Sequence, residues 1–279
     1  MDLSVIIVSW KVKDKLRSNL EALRNSSGDF KFEVIVIDNN SQDGTVEMLA
    51  SEFKEIKLIS NSENCGFAAA NNQGIKIAQG KYILLLNPDM RVEADTLSKM
   101  LNWMDENPSA TVSGCKLVNE AGEIVKQVRK FPRLSDQLAI IFKLPHIFKN
   151  INNKYLCAGF DYTRPAKVDS IRGAFFLISR ERFKLISGGC EPLLDERYFI
   201  WFEEVDFCKT VYQLGGEVWY TPVARCLDYV GQSFKQVKRG QTQRYFSESM
   251  LKYFAKWENR LATGVLGLAW RLVLIFLPK

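Results

Sequence analysis

The sequence predicts an α/β protein with a mostly parallel central sheet flanked by helices and a C-terminal helical tail. Two observations carry this prediction. In the first hundred residues, short apolar runs alternate with longer segments whose apolar residues recur at the spacing of a helix. From residue 235 the chain becomes basic and aromatic, and then almost wholly apolar. Alternation of the first kind gives parallel strands joined by helices that cover both faces of the sheet.

The individual elements follow from these patterns in chain order. Strands are predicted at 3–8, 33–37, 56–59 and 81–86, with helices at 14–24, 43–53 and 67–79 between them. Beyond residue 110 the pattern weakens. There we predict a variable, partly helical insertion at 128–168, a strand at 171–179, an acidic segment at 195–214 that runs into a helix, and short strands at 217–220 and 224–229. The pair Gly215-Gly216 ends that helix.

Positive charge is concentrated in the tail. Residues 229–279 contain nine Lys or Arg and two acids, a balance of +7, whereas the rest of the chain balances to −1. A nearly neutral body argues against nucleic-acid binding and gives the electrostatic role to the tail.

The apolar end of the tail, 261–278, has several candidate environments. Its length is at the lower limit for crossing a bilayer, and Arg271 near its middle is unfavourable there. A segment that is both basic and apolar suits the surface of a membrane better, with Trp270 and Lys279 at the headgroups. The alternative is a helix buried in the fold or in a dimer. We expect contact with a membrane surface and leave a homo-oligomer open.

Cysteine and histidine usage argues against several kinds of site. The six cysteines show no CxxC spacing, which indicates reduced thiols in a cytoplasmic protein and not a disulfide scaffold or a zinc site. The opening residues, MDLSVIIVSW, are typical of a strand and not of a cleavable signal. His146 is the only histidine, so a histidine-based triad or metal site is not expected.

The strongest functional signal is the stretch GKYILLLNPDMR at 80–91. A buried strand ends there at Asn87-Pro88-Asp89, and the carboxyl end of a strand is where an open α/β sheet places its ligand chemistry. Pro88 fixes its own φ angle and favours an extended Asn87, so Asp89 is presented at a defined angle. A carboxylate held in this way can bind a divalent cation, which in turn can bind a diphosphate. The alternative is an ordinary turn, in which Asn, Pro and Asp are common.

Other polar residues follow the neighbouring strands. Asp38 ends the second strand and could accept hydrogen bonds from a nucleobase or a ribose hydroxyl, although an Asx turn with Ser41 is an alternative. The next helix opens at Gly66, which permits close backbone approach, and its N-terminal amides could face an anion. Asn64 and Asn71 add polar side chains around that helix start.

A cluster of acids marks the start of a helix in the second half. On a helix, Glu203 and Asp206 lie on one side, and Glu204 projects about 100° away. Acids at a helix N-terminus are also common because they complement the helix dipole, so the pattern alone favours capping over catalysis. Gly173 begins a strand that faces this region and would let a ligand approach the backbone.

In these stretches and their order, the chain resembles family 2 glycosyltransferases with the GT-A fold. The stretches SVIIVSW, VIVIDNNSQDGT, NCGFAAANNQGI and YILLLNPD resemble the donor half of that family, and GAFFLISRERF, LLDERYFIWFEEVDFCKTV, GGEVWYTPVAR and GQSF resemble its acceptor half. The resemblance implies a glycosyltransferase domain at 1–234, with a nucleotide-sugar-binding half at 1–110, an acceptor half at 111–234, and a separate tail at 235–279. The most similar subgroup is the rhamnosyltransferases of bacterial polysaccharide biosynthesis.

The resemblance also implies a role for individual residues. Asp38 matches the acid that contacts the nucleotide base, and Asn87 and Asp89 match the family's metal-binding acids. Asp89 would hold Mg²⁺ or Mn²⁺. Glu204, at a position where the family usually has Asp, matches the catalytic base of an inverting transfer. Asp228 lies where the family often has histidine, and it is either a second metal ligand or a surface acid. The remaining site residues implied are Ser9, Asn64, Gly66, Asn71 and Gly173 for the nucleotide sugar, and Glu203 and Asp206 beside the base.

The implied activity is an inverting, metal-dependent transfer of a sugar from a dTDP- or UDP-sugar to a glycan or lipid-linked acceptor. The implied location is the cytoplasmic face of the membrane, held there by the tail. A sugar-nucleotide nucleotidyltransferase is an alternative, but Ser9-Trp10-Lys11 follows the first strand where such an enzyme has a glycine-rich basic loop. A non-catalytic family member that only binds a sugar nucleotide is the other alternative.

Overall fold

The computed structural model describes residues 1–229 and 239–275. One central sheet carries the fold, with helices on both of its faces. The strands are β1 (Leu3–Ser9), β2 (Phe32–Asp38), β3 (Lys57–Ser60), β4 (Tyr82–Leu86), β5 (Met90–Val92), β6 (Ala110–Val118), β7 (Ala166–Lys167), β8 (Phe175–Ser179) and β9 (Glu217–Asp228). The helices are α1 (Lys13–Arg24), α2 (Thr45–Glu52), α3 (Phe67–Ile77), α4 (Thr96–Glu106), α5 (Leu134–Ile141), α6 (Arg180–Ser187), α7 (Glu203–Gln213), α8 (Arg239–Trp257) and α9 (Arg260–Ile275).

The strand order is β3-β2-β1-β4-β8-β6-β9-β5, with β7 beside β9. The first four strands along this order pair in parallel, which confirms the prediction for the first hundred residues. Beyond β4 the sheet is mixed. There β8 runs antiparallel between β4 and β6, β6 and β9 are parallel, and β5 and β7 are antiparallel to β9.

Strand β1 shows why the apolar runs form central strands. All seven of its residues are buried. Val5 and Ile7 point into a core beneath α1, α2 and α4, whereas Ile6 and Val8 point into a second core beneath α3, α6 and α7. Because successive side chains alternate between the faces, a strand covered on both sides needs an unbroken apolar run. Burying each such side chain stabilises the fold by about 1.5–3 kcal/mol.

Several elements beyond residue 90 differ from the prediction. The structure adds β5, α4, β6 and α6, which the patterns did not predict. The strand expected at 171–179 begins only at Phe175, and the two short strands expected at 217–220 and 224–229 are the single strand β9. Register shifts between β6 and β9 break the alternation of side chains that a strand prediction depends on. The insertion at 128–168 is partly helical, as predicted, through α5 and a short 3₁₀ turn.

The tail folds back onto the body. Helices α8 and α9 share a third apolar cluster with α5, which we call the tail core. Tyr253 and Phe254 of α8, Leu266 and Trp270 of α9, and Ile141 of α5 are buried in it. The described residues contain no helix that is long and apolar enough to cross a membrane. The domain boundary predicted at residue 234 and the last predicted residues of the tail lie outside the described residues.

Candidate active site

A cleft of about 700 Å³ opens beside the carboxyl ends of β1, β2 and β4. One wall follows these strand ends and the start of α3, and the other is formed by residues before α7 and by α8. The lining residues are Val8, Trp10, Asn39, Asn64, Gly66, Phe67, Asn87, Pro88, Arg172, Gly173, Ala174, Phe199, Ile200, Trp201, Glu203, Glu204, Gln241, Thr242 and Tyr245. The structure therefore brings six of the predicted site residues to one cleft, namely Asn64, Gly66, Asn87, Gly173, Glu203 and Glu204. The predicted residues Ser9, Asp38, Asp89 and Asp228 do not line it.

Asp38 and Ser9 end two neighbouring strands in register. Both are buried. The Asp38 Oδ2 atom accepts a hydrogen bond from the Ser41 amide at 3.2 Å, so the Asx turn weighed above is present. The Asp38 Oδ1 and Ser9 Oγ atoms are buried without a hydrogen-bond partner among the described residues. A buried polar atom without a partner is costly, so each of these atoms is a candidate ligand contact.

Gly66 lies at the start of α3 with a φ angle of +89°. A Cβ atom at this position would come within 2.7 Å of the Phe199 carbonyl oxygen. The next amide, that of Phe67, donates to the same carbonyl at 2.6 Å. The close approach predicted for Gly66 is therefore made by the protein's own chain. Asn64 accepts hydrogen bonds from the Gly66 amide and from the Asn39 side chain, which fixes this corner of the cleft.

Asn71 does not line the cleft. Its side chain is buried and donates to the Phe67 carbonyl within α3. The next residue, Asn72, has a clearer function that the sequence did not indicate. Its amide group donates to the Leu194 carbonyl at 2.8 Å, and its Oδ1 atom accepts from the Leu194 amide at 2.8 Å. Asn72 thus holds the segment that leads into the acid pair.

The backbone around Asn87-Pro88-Asp89 is anchored on both sides. The Asn87 amide donates to the Ala174 carbonyl at 3.0 Å, and the Asn87 carbonyl accepts from the Asn19 side chain at 2.8 Å. Asp89 is buried, and its carbonyl accepts from the Tyr229 amide. The following pairing of β5 with β9 sets Met90 opposite the other predicted metal ligand, Asp228. The pairing of β5 with β9 therefore places the backbone of Asp89 next to the backbone of Asp228, the two predicted metal ligands.

A cation that the sequence did not single out accompanies these acids. Arg172 lines the cleft, and its Nη1 atom donates to the Asp228 Oδ2 atom at 3.1 Å. Among the described residues, no group of three or more His, Cys, Asp or Glu side chains lies close enough to hold a metal. Asp89 and Asp228 offer oxygen ligands only, and Mg²⁺ is commonly held by one or two carboxylates together with substrate phosphates. This donor chemistry fits a hard cation that binds jointly with a diphosphate.

Glu203 and Glu204 begin α7 and face the cleft. The two preceding residues, Trp201 and Phe202, have φ angles of +64° and +68°, a left-handed conformation that is strained for bulky side chains. Each glutamate has an Oε2 atom that is buried without a hydrogen-bond partner among the described residues. Burial raises the pKa of Glu203, and the neighbouring Glu204 charge raises it further. Burial also raises the pKa of Glu204, while the Arg172 charge acts to lower it.

Asp206, predicted beside the base, lies outside the cleft lining. Its carboxylate accepts from Lys256 Nζ at 2.7 Å, from Trp257 Nε1 at 2.6 Å and from Tyr198 Oη at 3.2 Å. These partners belong to α8 and to the segment before α7. Through these contacts Asp206 connects helix α7, which carries the acid pair, to helix α8 of the tail.

Gly173 lies beside Glu204, just before β8. A Cβ atom at this position would be 3.5 Å from the Glu204 Cβ atom, which is ordinary van der Waals contact. A small side chain would therefore fit at position 173. With glycine there, that space is part of the cleft.

Helix α8 supplies a part of the wall that the sequence did not predict. Gln241, Thr242 and Tyr245 line the cleft, and the Tyr245 ring stacks on Phe199 with centroids 4.6 Å apart. The Gln241 Nε2 atom donates to the Tyr245 hydroxyl at 2.6 Å. The basic and aromatic sequence of α8 does not indicate that this helix lines a cleft. Only the tertiary fold brings α8 next to the strand ends.

This combination of sheet and cleft is the GT-A fold of glycosyltransferases. Two solved structures illustrate the likeness. A mannosyltransferase from Pyrobaculum calidifontis, in complex with GDP-Man and Mn²⁺, aligns with a TM-score of 0.59 at 17% identity and covers 98% of this chain and 72% of its own. GalNAc-T7, with UDP, GalNAc and Mn²⁺, aligns with a TM-score of 0.58 at 16% identity and covers 82% of this chain and 44% of its own.

The chain belongs to Glycosyl transferase family 2, whose model matches residues 4–172. It is a transferase of that family. Among curated relatives, rhamnosyltransferase WbbL of Escherichia coli is 25% identical over 260 residues, which are 90% of this chain and 92% of WbbL. Uncharacterized glycosyltransferase YfnE of Bacillus subtilis is 34% identical over 116 residues, which are 41% of this chain and 30% of YfnE. The chain thus spans nearly all of one relative and under a third of the other.

Proposed function

We propose that the protein is an inverting, metal-dependent glycosyltransferase that uses a nucleotide-diphosphate sugar, with Glu204 as its catalytic base. The observation that carries this proposal is the position of Glu204. Glu204 lines the cleft, and its buried Oε2 atom has no hydrogen-bond partner among the described residues. A carboxylate whose pKa is raised accepts a proton more readily once it is ionised.

The reaction needs one proton transfer and one displacement. Glu204 takes the proton of the acceptor hydroxyl as that oxygen attacks the anomeric carbon. The bond from this carbon to the diphosphate breaks on the opposite side, and the nucleoside diphosphate leaves with the bonding electrons. Arg172 lies in the same cleft, where its guanidinium can bind phosphate oxygens. A divalent cation bound with Asp89 and Asp228 would neutralise further charge on the leaving group.

The donor side of the cleft is assigned to the strand ends. The partnerless oxygens of Asp38 and Ser9 can accept and donate hydrogen bonds to the nucleoside. Asn64 and Asn87 line the path from there towards the acid pair. Gly173 leaves space for the sugar beside Glu204.

Rhamnose as the transferred sugar is supported by the relative WbbL, which is named a rhamnosyltransferase and aligns over most of both chains. The proposed donor is therefore dTDP-rhamnose, with UDP-sugars as the other candidates. The proposed acceptor is a glycan or a lipid-linked precursor. The net charge of +7 on residues 229–279 supports contact of the tail with the cytoplasmic face of a membrane.

A non-catalytic sugar-nucleotide-binding protein is the second candidate. The observation that favours it is the ion pair of Asp228 with Arg172, since a protonated guanidinium at that carboxylate competes with a metal. Release of nucleoside diphosphate from a donor separates the two functions, because only the enzyme turns over.

The proposal is tested by calorimetric binding of UDP, dTDP and GDP to the wild type and to Asp89→Asn, with and without Mn²⁺. We expect one nucleotide to bind in a Mn²⁺-dependent manner and Asp89→Asn to lose that dependence. Asp161→Asn, a change in an exposed loop, is the matched control and should bind like the wild type. Binding of no nucleotide, or equal binding by Asp89→Asn, would contradict the assignment of the donor site.

A further inference from the structure

The outer face of α9 is an apolar stripe. Leu261, Val265, Leu268 and Leu272 recur every three or four residues, so they lie on one side of the helix. All four are exposed, Leu261 to 76%. The opposite face, which includes Leu266, is buried in the tail core. The described fold therefore covers only one side of this helix.

A second exposed apolar segment begins where α5 ends. Helix α5 packs on α9, and its last residue, Ile141, lies in the tail core with Leu266. The chain beyond it exposes Phe142, Ile147, Phe148 and Ile151, with Ile147 exposed to 73%. Exposed side chains of this size and number are unusual on a soluble surface and indicate a docking site.

Both segments carry positive charge and no acid. Residues 142–156 contain three lysines, and residues 260–275 contain two arginines. These arginines, Arg260 and Arg271, line a groove of about 620 Å³ between α8 and α9. The one acid that lines this groove, Glu258, is ion-paired with Lys209 at 3.3 Å. Apolar side chains mixed with cations alone fit the surface of an anionic bilayer, where leucines enter the acyl boundary and arginines meet phosphates.

We propose that residues 142–151 and the outer face of α9 form one membrane-docking surface whose partner is an anionic lipid bilayer. This inference rests on the proposed function and deepens it, because it names the surface for the proposed membrane contact of the tail and extends that surface to residues 142–151 in the body. The surface uses none of the residues that line the cleft. Helix α8 connects the two, because its first turns line the cleft and its later residues, such as Phe254, pack in the tail core with α9. Docking therefore holds the cleft next to the lipid.

The experiment is co-sedimentation of the full chain with vesicles of phosphatidylcholine containing one quarter phosphatidylglycerol, and with vesicles of phosphatidylcholine alone. Two variants remove the two parts of the surface, L261S/L268S/L272S in α9 and I147S/F148S in the other segment. The control, L185S/Y212S, removes side chains of similar exposure, 72% and 65%, from α6 and α7. We expect the wild type and the control to bind the anionic vesicles, and each surface variant to bind at least tenfold more weakly.

A third variant, R260Q/R271Q, keeps the apolar stripe and should lose only the preference for anionic over neutral vesicles. The inference is overturned if the wild type does not sediment, if either surface variant binds like the wild type, or if the control loses binding equally. It is also overturned if sedimentation velocity shows that the wild type is a dimer, that the α9 variant is a monomer, and that the wild type does not bind vesicles. Calorimetric nucleotide binding by every variant separates this result from the proposed function, since loss of vesicle binding should leave nucleotide binding unchanged.

Discussion

Among single residues, Glu204 and its neighbours carry the proposed chemistry. The resemblance to family 2 glycosyltransferases pointed to Glu204, whereas the pattern of acids alone favoured helix capping, and in the structure Glu204 lines the cleft. The strand start at Arg172 and Gly173 was predicted to face the site, but the ion pair of Arg172 with Asp228 was not, because only the fold brings these two distant residues together. The burial that raises the pKa of Glu204 is likewise a property of packing and not of the local sequence.

Replacing Arg172 by Met should move the acidic limb of the pH–rate profile to higher pH. The Arg172 charge opposes the burial that raises the pKa of Glu204, so its removal raises that pKa further. The measurement is nucleoside diphosphate release from a donor sugar across pH 5 to 9. Arg172→Lys keeps the charge and should leave the limb in place. If the acidic limb moved to lower pH in Arg172→Met, the Arg172 charge would not be lowering the pKa of Glu204.

Replacing Glu203 by Gln should stabilise the protein at pH 8 and not at pH 4. Because burial raises the pKa of Glu203 in the folded state, the folded protein binds more protons than the unfolded chain above the ordinary carboxyl pKa. Stability is therefore lost as pH rises, and a neutral amide removes that loss. Thermal melts at the two pH values measure the difference. A Glu203→Gln variant that melts below the wild type at pH 8 would show that Glu203 is ionised and needed in the fold.

At the scale of elements, the segment 194–202 holds the acid pair in place and is anchored from two sides. Helix α3 contacts it through Asn72 and the Phe67 amide. Helix α8 contacts it through Ser249, which donates to the Ile200 carbonyl at 2.7 Å, and Lys252, which donates to the Arg197 carbonyl at 2.6 Å. These anchors maintain the left-handed conformation before α7, a strain that needs surrounding structure to persist. The tail therefore helps to position Glu204, the proposed base.

Replacing Asp206 by Asn should lower stability by about 2–3 kcal/mol while leaving measurable turnover. Breaking a buried ion pair costs about 3–5 kcal/mol, and the cost is smaller here because Lys256 keeps its contact with Asp195. Denaturant unfolding measures the first effect, and donor turnover at low temperature measures the second. The matched variant, Glu204→Gln, should show the reverse, with lost turnover and a stability no lower than that of the wild type, because burial raises the pKa of Glu204. Complete loss of turnover in an Asp206→Asn variant that is fully folded would contradict the structural role and indicate a catalytic one.

At the scale of the whole molecule, the sequence predicted the donor half better than the acceptor half. The strands β1, β2 and β4 are continuous apolar runs because helices cover both faces, so composition alone revealed them. The strands β6 and β9 pair with register shifts, and helix α6 lies where the strand–helix alternation had already weakened. Helix α4 precedes that point and was missed. The place of α8 in the cleft wall depends on contacts between distant parts of the chain, which no local pattern encodes.

The proposed inverting transfer is tested by identifying the first-formed products of donor hydrolysis, with water as the acceptor. Proton NMR of freshly mixed dTDP-rhamnose or UDP-sugars reports both the nucleotide product and the anomeric configuration of the released sugar. The account predicts release of nucleoside diphosphate with inverted configuration, and a loss of about 10²–10⁴-fold in Glu204→Gln, the usual contribution of a general base. Release of pyrophosphate, retained configuration, or unchanged turnover in Glu204→Gln would contradict it.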